Sequence, residues 1–88
     1  MNYRDITIQT NTSKKGKLDQ RTFKAQRLKM GNMDVFVLDE TKRDLIRKRF
    51  DLAPGCRIQD DGTIYRVMDI WYSPKPQRPF IVSAPEVC

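Results

Sequence analysis

The stretch Thr63–Tyr72 (TIYRVMDIWY) constrains the fold more than any other, because it has apolar side chains at both odd and even positions. Ile64, Met68 and Ile70 share one parity, and Tyr65, Val67 and Trp71 share the other. Successive side chains of a strand point to opposite faces of a sheet, so this strand is apolar on both faces. Such a strand is typical of a closed or strongly curled sheet, in which one face fills the interior and the other packs on a helix or another subunit.

A hairpin precedes that strand. Asp60, Asp61 and Gly62 form a turn signal, and residues 56–59 supply the first arm. The other elements are predicted from alternation, β-branched content and caps. The strands are at 4–10, at 22–30 (bent, with a bulge), at Met33–Leu38 (buried on both sides) and at 80–84 (the antiparallel last strand). The helix is at 40–50, is capped by Asp39, and has Leu45, Ile46 and Phe50 on one side.

This order predicts one domain over residues 1–88, since a chain of 88 residues has too little length for two cores. The predicted class is mainly β (α+β): a small curled antiparallel β-barrel or sandwich with one short helix inserted mid-chain. OB-like and SH3-like barrels and an α+β layer all satisfy the order. Residues 73–79 form a proline-rich connection between the last two strands.

The formal charge of +6 is concentrated in one segment. Residues 10–32 hold seven Lys and Arg against the single acid Asp19, and the remaining charges cancel. Within it we predict a mobile basic loop at 11–20, with Gly16 near its tip. Such a segment can follow nucleic-acid phosphates, or it can be a solvated loop that aids solubility. Phe23 is the only aromatic residue in the segment, whereas base stacking usually uses several.

The residue inventory argues against an enzyme. There is no histidine, which excludes Ser-His-Asp and Cys-His catalysis, and two cysteines (Cys56 and Cys88) are too few for a zinc finger. Phosphate-binding and nucleophile-elbow motifs are lacking, and Asp60-Asp61-Gly62 is better explained as a turn than as a cation site. We therefore predict no catalytic residues, no metal and no cofactor, with Cys56 as a small buried residue.

Apolar runs are short, with residues 35–38 among the longest, so no membrane association is predicted. The first residues lack the pattern of a secretory signal. The expectation is synthesis in the cytoplasm with reduced thiols.

Three segments together resemble a known family. Residues 35–41 (VFVLDET) lead to a short basic helix, followed by 54–58 (PGCRI) and 62–70 (GTIYRVMDI). This order resembles the small head-tail joining, or head-completion, proteins of long-tailed bacteriophages, in which a strand leads to a short helix and then to a hairpin. The similarity covers residues 33–84, and the chain departs from the family at Cys56, where an aspartate is frequent.

The resemblance implies a structural virion protein of the phage neck, made in the host cytoplasm. Such a protein forms a homo-oligomeric ring between the portal or adaptor protein and the tail terminator or tail-tube protein, closes the head, retains the packaged DNA in its channel and offers a tail-attachment surface. Under this interpretation the DNA-facing loop holds Lys14, Lys15, Lys17 and Arg21, and the subunit interface holds Trp71, Tyr72 and Phe80. Ordinary core packing is the competing role of those three aromatic residues.

Two other functions remain open at this point. A sequence-independent nucleic-acid-binding small β-barrel predicts surface aromatic residues beside the basic segment. An interaction module whose positive loop meets an acidic partner predicts little salt-sensitive binding to DNA.

Overall fold

The computed structural model describes residues 3–14 and 17–86, with the backbone alone at residues 11–14, 17 and 18. Within these residues, six strands and one short helix follow one another. They are β1 (Arg4–Lys14), β2 (Lys17–Met30), β3 (Met33–Leu38), α1 (Lys42–Arg47), β4 (Arg57–Asp60), β5 (Thr63–Tyr72) and β6 (Pro79–Pro85).

The strands close into an antiparallel barrel in the order β1-β2-β3-β6-β5-β4. This confirms the predicted class, a small β-barrel with one helix inserted mid-chain. Inward-facing side chains of all six strands form a single core, and Leu45 and Phe50 pack against it from α1 and the segment after it. The buried core residues are Ile6, Ile8, Phe23, Ala25, Phe36, Leu38, Leu45, Phe50, Cys56, Ile58, Tyr65, Val67 and Ile81.

The predicted hairpin between β4 and β5 is confirmed, with Asp60 paired to Thr63 across a two-residue turn. Asp61 and Gly62 both have positive φ, 50° and 82°. This is the pattern of the type I′ turn, whose twist matches that of the flanking strands.

The bulge predicted within residues 22–30 is wrong. Pairing of β2 with β3 runs without a shift from Ala25 opposite Leu38 to Met30 opposite Met33. Phe23 is buried in the core, whereas Leu28 and Met30 are exposed. The change of phase in the sequence therefore marks apolar residues moving from the inner to the outer face of a regular strand.

A bulge does occur in β5, where the register with β6 shifts between Val67 and Asp69. The additional residue reverses the parity of the rest of the strand. Ile70 consequently packs on the core beside Val67, and Trp71 is exposed. Simple alternation had grouped Ile70 with Met68, and Trp71 with Val67.

The helix is shorter than predicted, and its N-cap is Thr41 and not Asp39. Thr41 Oγ1 accepts a hydrogen bond from Asp44 N (3.2 Å), and Asp44 Oδ2 accepts from Thr41 N (3.0 Å). The Thr41 hydroxyl also donates to Asp44 Oδ2 (3.0 Å), and the two bonds that this carboxylate accepts from the Thr41 backbone and hydroxyl hold the pKa of Asp44 below its ordinary value.

The helix ends after Arg47 because Arg49 adopts φ 54°. Arg49 N donates to Ile46 O (3.0 Å) and Phe50 N to Leu45 O (3.1 Å), which is a Schellman motif without glycine. The chain turns back at this point, so Leu45 and Phe50 are buried but Ile46 is 66% exposed. The prediction that all three share one side is wrong for Ile46.

Two connections complete the fold. Residues 11–20, predicted as a mobile basic loop, are in strand wherever the structure describes them, with a register shift between Gln9 and Ser13. The proline-rich connection at 73–79 is a closed loop in which Ser73 N donates to Arg78 O (3.0 Å). Gln77 O also accepts from Lys42 N (2.7 Å), so this loop is fixed to the start of α1.

Candidate interaction site on the barrel surface

We call the strand pair of β1 and β2 the basic hairpin, and it contains three of the four residues predicted to face DNA: Lys14, Lys17 and Arg21. Lys14 and Lys17 are opposite each other where the two strands end. Lys15 lies outside the described residues. Arg21 lies opposite Ile8, nearer the barrel. Lys14 and Lys17 are therefore at the tip of the hairpin, and Arg21 is at its base.

Arg21 makes several contacts within the chain. Its Nε is 3.2 Å from Asp19 Oδ1, its Nη1 donates to Lys48 O, and its guanidinium lies 5.7 Å from the Phe50 ring centroid. Carbonyls at a helix C-terminus carry partial negative charge, which favours this cation there. Arg21 therefore holds the base of the hairpin against the end of α1.

The rings beside these cations are buried. Phe23 and Phe50 pack edge to face, with centroids 5.0 Å apart, and Lys48 Nζ is 5.6 Å from the Phe23 ring. Both rings belong to the core. Because a stacking platform must be exposed to bases, these two rings do not provide one.

The outer surface of the barrel has two faces of opposite character. We call the first the polar face: outward-facing residues of β1, of β4 and of the neighbouring parts of β2 and β5. Register and exposure assign to it Thr7, Gln9, Gln20, Thr22, Arg57, Gln59, Ile64 and Arg66. Arg57 Nε and Arg66 Nε lie 3.3 and 3.4 Å from the two carboxylate oxygens of Glu86, so one acid serves two cations.

The second, which we call the apolar face, crosses β2, β3, β6 and β5. Cross-strand pairing aligns two rows on it. One row is Leu28, Val35, Val82 and Asp69; the other is Gln26, Val37, Phe80 and Trp71. Met30 and Met68 extend it.

Val35 and Val37 show that this face is a second apolar layer. They are only 3% and 8% exposed, yet they do not belong to the core cluster that contains their neighbours Phe36 and Leu38. Their side chains point outward and are covered by flanking residues such as Leu28 and Phe80. The prediction that β3 is buried on both sides is confirmed.

Trp71 and Phe80, two of the predicted interface residues, are direct cross-strand partners on the apolar face. Trp71 is 58% exposed, and its Nε1 donates to Asp69 Oδ2 (3.0 Å), which satisfies the indole N–H and fixes the ring. Tyr72, the third, is half-buried on the other side of the strand, where Lys42 Nζ lies 5.1 Å from its ring centroid. Burial raises the pKa of the Tyr72 hydroxyl.

Beside Phe80 the apolar face contains a groove with a volume of about 300 Å³. Among the described residues, Arg78 Nε is a buried donor with no hydrogen-bond acceptor. Arg78 Nη2 is 3.9 Å from Asp39 Oδ1, longer than a hydrogen bond. The groove is lined by Tyr3, Gln26, Leu28, Val37, Ser73, Pro76, Arg78 and Phe80.

The sequence reasoning missed Leu28, Met30, Asp69 and Arg78 as surface features. The apolar phase change at Leu28 and Met30 was a signal for the apolar face, but it was attributed to a bulge. Asp69 and Arg78 gave no signal, because their placement depends on the bulge in β5 and the loop at 73–79.

One end of the barrel is closed by charged groups. The buried Asp60 accepts a hydrogen bond from Arg4 and lies 4.0 Å from Arg27 Nη1, and Arg27 also donates to Tyr65 Oη (2.8 Å). Asp34, also buried, is 3.7 Å from Lys29 Nζ. Each buried carboxylate therefore has a cation, which is what its burial requires.

Within residues 3–14 and 17–86, no three His, Cys, Asp or Glu side chains are grouped as metal ligands. Cys56 is buried, with Sγ 3.6 Å from Asp51 O, as predicted for a small core residue; Cys88 lies outside the described residues. The described part of the chain has no helix of the length and apolarity that a membrane span needs.

No protein-family model, curated protein or solved structure matches this chain.

Proposed function

We propose that this protein is a structural component of a bacteriophage neck. In this role it forms a ring between the portal or adaptor protein and the tail terminator or tail-tube protein, closes the head, retains the packaged DNA and offers the tail-attachment surface. The observation that carries the proposal is the apolar face. A barrel that already has a complete core exposes a second apolar layer, and such surfaces typically contact other protein chains.

The order of elements also supports the proposal. The segment that resembles the head-tail joining proteins, residues 33–84, folds as a strand, a short helix, a hairpin and a final strand. The strand, the helix and the hairpin follow the order that the resemblance implies. Trp71 and Phe80 supply the large, rigid side chains typical of subunit contacts.

The basic hairpin supplies the surface for DNA in this proposal. Its tip is at the Lys14 and Lys17 end of β1 and β2, away from the part of β2, Ala25 to Met30, that pairs with β3 on the apolar face. Copies that contact one another through the apolar face leave their hairpins free to face the phosphates of DNA in a channel. Each copy contributes little alone, and many copies in a ring add their charges.

The direct test uses a phage whose genome encodes this chain. Disruption of the gene should yield heads that lose their DNA and do not attach tails, and antibody labelling should place the protein between head and tail. Normal infectious particles without the protein would contradict the proposal.

A second test uses the isolated protein with labelled duplex and single-stranded DNA, by fluorescence polarisation across a salt series. We expect weak binding that is lost near physiological salt, because few phosphates are neutralised by one copy. Tight binding that persists there with a preference for single strands would instead indicate the nucleic-acid-binding barrel. Absence of salt-sensitive binding even at low salt would favour the module for an acidic partner.

A further inference from the structure

We propose that the free chain pairs with a second copy of itself through the apolar face, with the Trp71 side chain of each copy in the Phe80 groove of the other. The inference goes beyond the neck assignment and does not depend on it, because it concerns the protein before any assembly with other components.

The first argument is that Trp71 and the groove are placed for reciprocal contact. Trp71 is on β5, Val37 on β3 lines the groove, and Phe80 on β6 lies between them in the same cross-strand row. With strands about 4.8 Å apart, the two features are about 10 Å from each other. A two-fold axis in the interface plane along β6 therefore places each Trp71 over the other copy's groove. A closed pair of this kind uses the same surface twice.

The second argument is that Trp71 is prepared for burial. Its one polar atom, Nε1, already donates to Asp69 Oδ2 at 3.0 Å, so only the apolar ring surface remains to be covered. A ring held in one orientation loses little conformational freedom on binding. Aromatic side chains of this kind are common energetic centres of interfaces.

The third argument is charge complementarity. Asp69 is exposed and accompanies the Trp71 ring, while the groove holds Arg78, whose side chain is 39% exposed and whose Nη2 lies 3.9 Å from Asp39 Oδ1, longer than a hydrogen bond. Insertion of Trp71 brings the Asp69 carboxylate to the Arg78 of the other copy. The tips of the basic hairpins are at the Lys14 and Lys17 end of β1 and β2, away from the part of β2 on the apolar face, so two copies with a formal charge of +6 each keep these tips apart.

The fourth argument is area. The exposed fractions of Leu28, Met30, Met68 and Trp71 represent apolar surface on the order of 400 Å² per copy. Pairing covers this surface twice, and the half-buried rim adds to it, so the total reaches roughly the lower end of the range for specific interfaces, about 1,200 Å². A ring contact is head-to-tail and would instead place this face on a different surface of the next copy.

The test is sedimentation velocity of the full chain over a series from micromolar to submillimolar concentration. Trp71 is the only tryptophan, so its fluorescence reports the same event. We expect a species of twice the monomer mass to form with rising concentration, together with a blue shift of the emission. Monomers with solvent-exposed emission at every concentration would overturn the proposal.

Substitutions test which residues form the contact between the two copies. Trp71→Ala should weaken pairing at least tenfold, whereas Ile46→Ala, which truncates an exposed residue on α1, should not change it. Asp69→Arg and Arg78→Asp should each weaken pairing, and the double variant should recover part of it, because the hydrogen bond from Trp71 Nε1 stays lost. Circular dichroism verifies that each variant is folded. Pairing that survives Trp71→Ala unchanged, or a double variant without recovery, would overturn the assigned contact.

The experiments distinguish failure of the two-fold pairing from failure of the neck function. A cyclic species larger than a dimer that depends on Trp71 would overturn the two-fold pairing while supporting a ring. A dimer from a gene whose disruption leaves phage particles intact would support the pairing and contradict the neck assignment.

Discussion

The polar and apolar faces of the barrel are built on the same architecture but have opposite chemistry. Both consist of outward-facing residues of antiparallel strands around one core. On the polar face these are Gln, Thr and Arg side chains, and the cations of Arg57 and Arg66 are balanced by Glu86. On the apolar face, Leu28, Val35 and Val82 stand side by side across three strands.

The difference indicates what each face contacts. Folding of the chain explains every inward-facing apolar residue, because closing the barrel buries them all. It does not explain Leu28, Met30, Met68 and Trp71, whose side chains remain 37 to 58% exposed after folding. A face with such residues is typical of a surface that another protein covers, and a polar face is typical of one that stays in water.

The largest expected effect is a difference in the free energy of unfolding between substitutions on the inner and outer faces of β3. Phe36→Ala should lower the free energy of unfolding by about 3 to 5 kcal/mol, because it opens a cavity in the barrel. Val35→Ala, one residue earlier and outward-facing, should cost less than half as much. Urea denaturation measures both. Ile81→Val, with an expected loss of about 1 kcal/mol, replaces Phe36→Ala if that variant does not fold. Equal losses at positions 35 and 36 would mean that the outer layer is part of the core.

The second effect is a difference in self-association between substitutions on the apolar face and on the polar face. Leu28→Gln on the apolar face should weaken self-association about tenfold, or about 1.4 kcal/mol, because it places an amide in the groove. Ile64→Gln makes the same change at an exposed position on the polar face and should leave association unchanged. Sedimentation of both variants decides this. Equal weakening by the two substitutions would remove the distinction.

A third effect concerns α1, which belongs to neither face. Thr41→Ala should cost about 1 kcal/mol at neutral pH, because it removes the N-cap hydroxyl. The folded-state pKa of Asp44 is lowered, so its contribution is present above its unfolded pKa and is lost as pH falls through the folded value. The stability difference between wild type and Asp44→Asn should therefore shrink on acidification. NMR titration of Asp44 showing an ordinary pKa would contradict this account.

The smallest effect concerns charge on the polar face. Glu86→Gln frees Arg57 and Arg66, so we expect about a two- to threefold gain in affinity for duplex DNA at low salt and a change in stability within about 0.5 kcal/mol. Asp39→Asn changes the net charge equally but frees Arg78 beside the apolar face, and it should not alter DNA affinity. Fluorescence polarisation compares them. An equal gain for both would indicate that net charge alone matters.

Local patterns predicted much of the fold. The Asp-Gly turn predicted the β4–β5 hairpin, because few sequences adopt two successive positive φ values. Apolar residues on both parities predicted that β3 would be buried on two sides, whereas Met68 and Trp71 on the outer side of β5 are exposed. The position of the helix was predicted correctly, but both of its ends were wrong. The N-cap is Thr41 and not Asp39, and the helix ends before Arg49, which adopts a left-handed conformation for which the sequence has no glycine as a signal.

The candidate site was predicted only in part. Trp71 and Phe80 were chosen as large aromatic residues and do lie together on one face, whereas Tyr72 packs under Lys42 on the other side. Arg21 was grouped with the basic hairpin, but contacts with Asp19 and Lys48 hold it against α1. Contacts between residues distant in sequence decided both outcomes.

The sequence by itself determined that this chain forms a small β-rich domain, because alternation, turn residues and apolar content are local properties of the chain. Only the tertiary structure decided which apolar residues face inward. An extra residue at the β5 bulge moves Ile70 to the core and Trp71 to the surface, and unbroken pairing of β2 leaves Leu28 and Met30 outside. The physical reason is that a side chain's face depends on register with a partner strand, which is fixed when the barrel closes.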